Sequence, residues 1–302
     1  MPKQKLSVVI NTSNSASTLA RTLESVKFAD EIVIVDAHST DETVKIAKQY
    51  TKRIYFFEGP NYVEPYRNFA LGKAKHPWIL VVDADEVIAN ELQQIILETI
   101  AEPQAEAYFL PRKNFIFGNW ITKASWWPDY QLRLFKNGAV RWQAEIHSIP
   151  QVEGQTAHLP AEEKYAIVHY NYTDVAQFID RLNNYTTIQA QERTKRSSLG
   201  DFSAEQLFGA FANEFASRAL VHDGVADGLH GVSLSLLQAF SELVVYLKQW
   251  EAVGFTPTSQ EDLGEILQQM QQIWRYWWAD YQVRHTTGWR QLYWRARRKF
   301  KL

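Results

Sequence analysis

Asp83-Ala84-Asp85 follows directly on the apolar run Trp78-Ile79-Leu80-Val81-Val82. Five buried-type residues ending in two carboxylates describe a central strand that delivers a divalent-metal site. Side chains at i and i+2 of an extended segment leave the same face. Both carboxylates can therefore address one ion, or one can hold a ribose while the other holds the ion. Hard oxygen ligands suit Mg²⁺ or Mn²⁺, ions usually shared with substrate phosphates. In an open α/β sheet the ligand lies outside the carboxyl ends of the strands, where this pair stands. The plainer alternative is a solvated loop in which Asp85 and Glu86 cap a helix over 89–100.

Other apolar runs also end in polar groups. The first opens into Asn11-Thr12-Ser13-Asn14-Ser15, a loop that offers hydroxyls and backbone N–H groups to an anion or a base. It contains no Gly-x-Gly-x-x-Gly and no Gly-Lys-Ser/Thr, so it is not a dinucleotide or P-loop turn. The second ends in Asp36, able to bond a ribose hydroxyl or a base N–H; capping of the next helix from Ser39 or Thr40 is the alternative. Arg67-Asn68 precedes the acidic strand, and an Arg there suits a diphosphate as readily as a surface ion pair. Asp129 follows Trp126-Trp127-Pro128, where Trp127 can stack on a sugar ring; a plain Pro-Asp turn would look the same. Arg133 and His147 could reach a diphosphate or complete a metal shell, although a lone His beside a hairpin is more often structural.

These residues need a frame, and the first half of the chain supplies one. Strand-like runs over 6–10, 31–35, 53–57 and 78–82 alternate with helix-like segments over 17–26, 40–50, 64–75 and 89–100. The strands are solid β-branched runs without polar alternation, which predicts a doubly wound, mainly parallel α/β sheet covered on both faces. An aromatic segment over 108–143 carries a predicted hairpin, with Asn137-Gly138 joining 131–135 to 139–142. From about residue 173 the texture turns helical, with segments near 174–198, 203–222, 231–253 and 259–284 and a Gly/Asp/His-rich break over 223–231. The predicted organisation is a catalytic domain over 1–172 and a helical region over 173–302.

Taken together, several ordered motifs carry a family resemblance. Ser7-Val8-Val9-Ile10, Asp30-Glu31-Ile32-Val33-Ile34-Val35-Asp36, Ser39-Thr40-Asp41-Glu42-Thr43, Arg67-Asn68-Phe69-Ala70-Leu71 and Trp78 through Glu86 resemble family 2 glycosyltransferases of the GT-A fold. Pro128-Asp129-Tyr130-Gln131-Leu132-Arg133-Leu134-Phe135 and Glu145-Ile146-His147 are closest to the branch containing bacterial lipopolysaccharide inner-core glucosyltransferases. The resemblance implies that Thr12, Asn14 and Asp36 contact the nucleotide with Arg67-Asn68 beside them. It further implies that Asp83 is the ribose-side carboxylate, Asp85 the metal ligand and Asp129 the acceptor-activating base. Ser15 stands where the family usually has Glu, and His38 where it commonly has Gly.

The chemistry of such a site is coherent. A departing diphosphate needs a metal to neutralise it, and an inverting transfer needs one carboxylate to take the acceptor's proton. The expected activity is metal-dependent inverting transfer from a nucleotide sugar, UDP-linked, to a saccharide or lipid-linked acceptor of cell-envelope polysaccharide. A sugar-nucleotide pyrophosphorylase and a non-catalytic membrane-surface scaffold with a decayed site are the alternatives.

Composition sets outer bounds. Hydrophobic content of 46% and charged content of 22% are those of a globular chain, and a net charge of -2 gives no bias toward nucleic acid. The absence of cysteine removes disulfides, thiolate metal sites and a cysteine nucleophile, and fits a reducing cytosol. The first ten residues hold too short an apolar core for a signal peptide, and no uninterrupted apolar stretch approaches a membrane span. After Asp280 there is no acid, yet Arg284, Arg290, Arg295, Arg297, Arg298, Lys299 and Lys301 follow, interleaved with Trp289, Tyr293 and Trp294. That segment reads as attracted to an anionic membrane surface, or as a helix packing its aromatics inward with a solvated basic face. The expected location is the cytoplasm, peripheral at the inner face of the membrane.

Overall fold

The computed structural model describes residues 4–58, 64–142, 150–196, 202–256 and 262–300. In chain order the elements are β1 (Leu6–Thr12), α1 (Leu19–Ser25), β2 (Glu31–Asp36), α2 (Thr43–Ala47), β3 (Ile54–Phe56), α3 (Glu64–Leu71), β4 (Trp78–Asp83), β5 (Glu86–Val87) and α4 (Asn90–Ala101). There follow β6 (Ala107–Leu110), β7 (Arg112–Ile116), β8 (Asn119–Trp120), β9 (Gln131–Lys136), β10 (Val140–Arg141), β11 (Gln151–Val152), β12 (Thr156–His158) and β13 (Ile167–Tyr172). The rest is helical: α5 (Val175–Arg196), α6 (Ala204–Ala216), α7 (Gly228–Ala252), α8 (Leu263–His285) and α9 (Gly288–Phe300). Two compact units result, one of Met1–Phe115 with Trp127–Asn171, the other of Ile116–Trp126 with Tyr172–Leu302.

The first unit is built on a seven-stranded sheet in the order β12-β6-β9-β4-β1-β2-β3. β3, β2, β1 and β4 run parallel, so the class is α/β with a mainly parallel centre. Alternate residues of β1 divide between two cores. Leu6, Val8 and Ile10 pack with Leu19 and Leu23 of α1 and Leu92 and Ile96 of α4, whereas Val9 packs with Val33, Val81 and Ala70 of α3. Apolar residues on both faces are what a doubly covered strand requires. The expected helix over 40–50 contracts to α2 because the Thr40 N–H is drawn to the Asn14 side chain and Asp41 bonds Thr43 and Ala16. The first loop competes for the backbone that would otherwise extend the helix.

The predicted hairpin at Asn137-Gly138 does not form. The turn is present, but β9 pairs antiparallel with β4 and β6, and β10 leaves to pair with β11. Leu132, Leu134 and Phe135 are buried residues whose burial is satisfied inside the large sheet, so β9 takes a central place rather than one in a two-stranded ribbon. A second, smaller sheet sets β13 between β5 and β7, with His169 opposite Glu86.

In the second unit, the helices expected from residue 173 onward are present as α5 to α8, and the basic tail forms a further helix, α9. No apolar stretch is uninterrupted over a membrane-spanning length, but Gly224–Ala252, broken by Asp227, His230, Glu242 and Lys248, is long and apolar enough to cross a membrane by length and composition. Within the unit, α7 packs on α5 and α6; its Glu242 pairs with Arg193, and Lys248 donates to Asn183, Thr186 and Thr187. The break over 223–231 is a single 3₁₀ turn, Gly224–Asp227, whose Asp227 carboxylate caps Thr122 and Lys123. Two glycines make this turn possible. A Cβ on Gly231 would stand 1.9 Å from the Gly224 carbonyl oxygen, and one on Gly224 would stand 2.7 Å from that of Arg218. Gly231→Ala is therefore expected to destabilise the helical unit by about 1–3 kcal/mol. Thermal unfolding followed by circular dichroism checks this, and an unchanged transition would mean the turn relaxes freely.

Candidate active site

The carboxyl ends of β1 and β2 carry two loops tied to each other by side chains. Thr12 Oγ1 donates to Asp36 Oδ1 (2.8 Å), and the same carboxylate accepts from Ser39 Oγ (2.6 Å) and Ser39 N (2.7 Å). Asn14 N donates to Ser39 Oγ (2.8 Å), its Oδ1 accepts from Thr40 N (2.9 Å), and Ser15 N donates to Thr43 Oγ1 (2.7 Å). His38 sits at φ 53°, a left-handed conformation that favours glycine. The geometry thus accounts for the Gly common at that position in the family it resembles.

At the end of β4 the Asp83-Ala84-Asp85 backbone is pinned from two sides: Thr22 Oγ1 donates to Ala84 O (2.9 Å) and Tyr170 N to Asp85 O (3.2 Å). Beyond it lies a buried ionic cluster. Glu86, with no exposed surface, accepts from Asp83 N (2.9 Å), Arg133 Nη2 (2.7 Å) and Arg112 Nη1 (3.3 Å). Arg133 also grips Asp83 through both terminal nitrogens, and Arg67 Nη2 lies 3.6 Å from the same carboxylate. Burial works against the Asp83 charge, but the guanidiniums of Arg133, Arg67 and Arg112 outweigh it and hold the carboxyl far below the usual range. Asp83 is a fixed anion.

A hydrogen-bonded chain runs from Asp129 through Asn114 to His169 and ends beside Asp85. Asp129, at φ 21°, accepts from Arg112 Nε, Asn114 Nδ2 and Gln131 Nε2, each at 2.8 Å. Burial pushes its carboxyl up, yet Arg112 and the bonds from Asn114, Arg112 and Gln131 bring it below the ordinary value. Asn114, fully buried, must turn its NH₂ toward this carboxylate, so its Oδ1 faces His169 Nδ1 at 2.7 Å. A carbonyl oxygen accepts only, which assigns the proton to Nδ1 of His169. The opposite nitrogen, Nε2, lies 3.5 Å from Asp85 Oδ1. In the neutral ring that nitrogen presents a lone pair beside a carboxylate.

Among the described residues no three His, Asp or Glu side chains converge as a ready metal shell. The Asp85–His169 pair nonetheless fits Mg²⁺ or Mn²⁺: such ions take one or two protein ligands and share the remainder with phosphates and water. An imidazole whose other nitrogen donates to an amide oxygen is the usual form of a ligating His. A second feature points to a ligand. Both side-chain polar atoms of Asn11 are buried without a partner, and Asn11 is in register with Asp83 on the neighbouring strand. A buried amide left unpaired costs about 1–3 kcal/mol unless something meets it.

Residues 7–151 match the sequence profile of the family described as Glycosyl transferase family 2. The chain carries a family 2 glycosyltransferase domain. It is 28% identical over 270 residues to an uncharacterized glycosyltransferase of Rickettsia felis, spanning 83% of this chain and 91% of that one. It is 25% identical over 202 residues to the lipopolysaccharide core biosynthesis glycosyltransferase LpsC of Rhizobium meliloti, spanning 65% of this chain and 74% of that one. S. aureus TarS in complex with UDP resembles 86% of this chain and 94% of its own, at 14% identity and a TM-score of 0.42. The enzyme class is that of a glycosyltransferase, which displaces the pyrophosphorylase alternative.

Within the glycosyltransferase domain the sequence-predicted residues fall into distinct situations. Asp83, Asp85, Asp129 and Arg67 join one cluster, while Thr12, Asn14 and Asp36 form the stitched loops beside it. Asp85 and Glu86 do not cap a helix; α4 begins later, after Ala89 and without a side-chain cap. Arg133 is not available to a diphosphate, because it is 1% exposed and engaged by Asp83 and Glu86. Asn68 is likewise spent: its amide bonds Trp142 O (2.6 Å) and Trp142 N (3.0 Å). Trp127 is half-buried, and His147 lies outside the described residues. Glu86, Arg112, Asn114, His169 and the orphan amide of Asn11 were not legible as site residues.

The depressed carboxyls of Asp83 and Asp129 have a consequence for stability. A carboxyl lowered in the folded state contributes stability that is fully present above its unfolded value, about pH 4, and is lost as pH falls through the folded value. The unfolding temperature is therefore expected to hold from neutral pH to about pH 4 and to drop steadily below it. In Asp83→Asn that acid limb should be shallower; a limb identical to wild type would remove Asp83 as a source.

Proposed function

We propose that the protein transfers a sugar from a UDP-linked donor to a hydroxyl of a lipid-linked, lipopolysaccharide-core-type saccharide, with inversion at the anomeric carbon. The observation that carries this reading is the continuous path from Asp85 through His169 and Asn114 to Asp129. It holds a cation-ligand pair and a proton acceptor in one fixed frame. The lipopolysaccharide-core relative supports the acceptor class, and the family resemblance supports the donor nucleotide. The reaction takes place at the cytoplasmic face of the membrane, where lipid-linked acceptors are built from soluble nucleotide sugars.

Asp85 and His169 would hold Mg²⁺ or Mn²⁺, and the bound cation would supply the countercharge for a departing diphosphate. Asn11, Arg67 and Asp83 line the donor side, with the Asn11 amide meeting the nucleotide and Asp83 a ribose hydroxyl. Thr12, Asn14 and Asp36 shape the edge of the nucleobase pocket. On the acceptor side, Asp129 accepts the hydroxyl proton while the acceptor oxygen bonds to the anomeric carbon and the bond to UDP breaks. Arg112 keeps Asp129 ionised at neutral pH, so the base is always in its working form, though a weak one. Proton transfer is therefore expected late, once the new carbon–oxygen bond has acidified the hydroxyl. Trp127 offers a face for the acceptor ring.

Three substitutions test these assignments. Asp85→Ala is expected to leave the fold intact and to abolish Mn²⁺-dependent UDP binding by calorimetry; wild-type affinity would remove Asp85 from the cation site. Asp129→Asn keeps the volume but cannot take a proton, so turnover should fall about 10²-fold or more with UDP binding unchanged. Normal turnover would leave the base unassigned. Asn114→Leu removes the bond that fixes the His169 tautomer, and Mn²⁺ affinity should fall about 10–100-fold. Unaltered Mn²⁺ affinity, measured in the absence of any acceptor, would mean that His169 does not ligate. Donor hydrolysis dependent on Mn²⁺ separates the transferase from a decayed scaffold.

A further inference from the structure

Helix α9 is packed the wrong way round for a helix that stabilises its own fold. Trp289, Leu292, Tyr293, Ala296 and Phe300 follow the i, i+3, i+4, i+7, i+11 spacing and so form one apolar stripe. A surface helix ordinarily buries such a stripe and leaves its polar side in water. Here the opposite side is docked. Gln291 Nε2 donates to Val283 O of α8 (2.9 Å), Arg298 Nη1 donates to Asp280 Oδ1 (2.6 Å), and Trp294, between them on that side, is half-buried. The stripe faces solvent: Trp289 is 73% exposed, Leu292 64%, Tyr293 50% and Phe300 64%. Four large apolar side chains aligned along one helix are a contiguous exposed patch of the kind that marks an interaction surface.

The charges beside the stripe say what covers it. Arg290 and Arg297 flank one edge, Arg295 and Lys299 the other, and the sequence holds no acid after Asp280. Arg290, Arg295 and Lys299 are exposed and form no ion pair among the described residues. An apolar stripe between two cationic borders matches an apolar layer beneath a sheet of anions. A second copy of the chain fits poorly, since stripe-to-stripe packing would bring the two sets of cations together.

We propose that α9 is a lipid-facing helix that seats the protein in the plane of a membrane surface of anionic phospholipid, with Trp289, Leu292, Tyr293 and Phe300 inserted among the headgroups. Its polar side, held to α8 by Gln291 and Arg298, fixes how the helix is presented. The interaction is independent of the transferase reading, because none of these residues belongs to the catalytic cluster.

Co-sedimentation of the full chain with vesicles of equimolar phosphatidylglycerol and phosphatidylcholine tests the proposal, with pure phosphatidylcholine as control, across a salt series. Wild type is expected to sediment with the anionic vesicles and to be partly released by salt. Combined Arg290→Gln, Arg295→Gln and Lys299→Gln should weaken low-salt binding roughly a hundredfold, about fivefold for each cation. Combined Trp289→Ser, Leu292→Ser and Phe300→Ser should remove the binding that persists at high salt. Failure of wild type to sediment with anionic vesicles overturns the proposal, as does binding by both variants as strong as that of wild type across the salt series. So does a wild-type dimer that the serine variant converts to monomer without any vesicle binding. UDP affinity and melting temperature measured on the same preparations should match wild type throughout. They also separate the two readings, since loss of UDP binding in wild type would sink the transferase assignment and leave the vesicle result standing.

Discussion

Glu86 is a carboxylate with no exposed surface, and the catalytic unit places three demands on it: it accepts from the Asp83 backbone N–H, from Arg133 and from Arg112. Each partner leads to a different part of the site. Through Arg133 it positions Asp83, and through Arg112 it positions Asp129; its backbone pairs with His169 across β5 and β13. Buried ion pairs of this kind add little net stability, because desolvation offsets the attraction. Removing one member is another matter, costing about 3–5 kcal/mol by leaving a buried charge alone. The cluster therefore acts as a constraint on position rather than as a source of stability.

Charge balance explains how so many ionised groups share one cluster. Asp83, Glu86 and Asp129 face Arg67, Arg112 and Arg133, three anions against three cations. Asp85 stands outside that set, turned toward His169. The Asn114 amide connects the two parts without adding charge, donating to Asp129 and accepting from His169. A neutral linker ties the Asp129 carboxylate and the Asp85–His169 pair into one geometry without changing the charge balance. The same arginines that keep Asp83 and Asp129 ionised would make Asp129 a weak base in the role proposed for it, which suits chemistry in which bond formation precedes proton transfer.

What was legible in the sequence depended on local pattern. The parallel strands, the helices between them, Asp83 with Asp85, and Asp129 beside Trp127 are all marked by short-range features: solid apolar runs, i and i+2 spacing, a Pro-Asp step. Glu86 looked like a capping acid because nothing nearby shows that β5 pairs with β13, some eighty residues on. His169 and Asn114 lie in strands whose apposition exists only after that pairing, so no spacing rule connects them to Asp85. Arg133 illustrates the converse. Its residue type suits a diphosphate, but β9 enters the sheet antiparallel beside β4 and commits it to Asp83 and Glu86. The hairpin failed for the same reason: a local turn signal at Asn137-Gly138 was correct, and the partner strand was elsewhere.

The carboxyl-terminal segment shows a limit of a different kind. Composition alone left two orientations open for the basic aromatic tail, since a helix with its aromatics inward and one with its aromatics outward have identical sequences. Two polar contacts decide between them. Gln291 and Arg298 lie seven residues apart, on one side of α9, and both are bonded to α8. Once that side is taken, the aromatic stripe has nowhere to go but outward, and the arginines nearest it become its borders. An exposed stripe of this size would be a liability in free solution. At the lipid surface proposed for it the stripe would be an anchor, and an enzyme acting on the proposed membrane-held acceptor would gain from confinement to the same plane, because the search for that acceptor would then run in two dimensions.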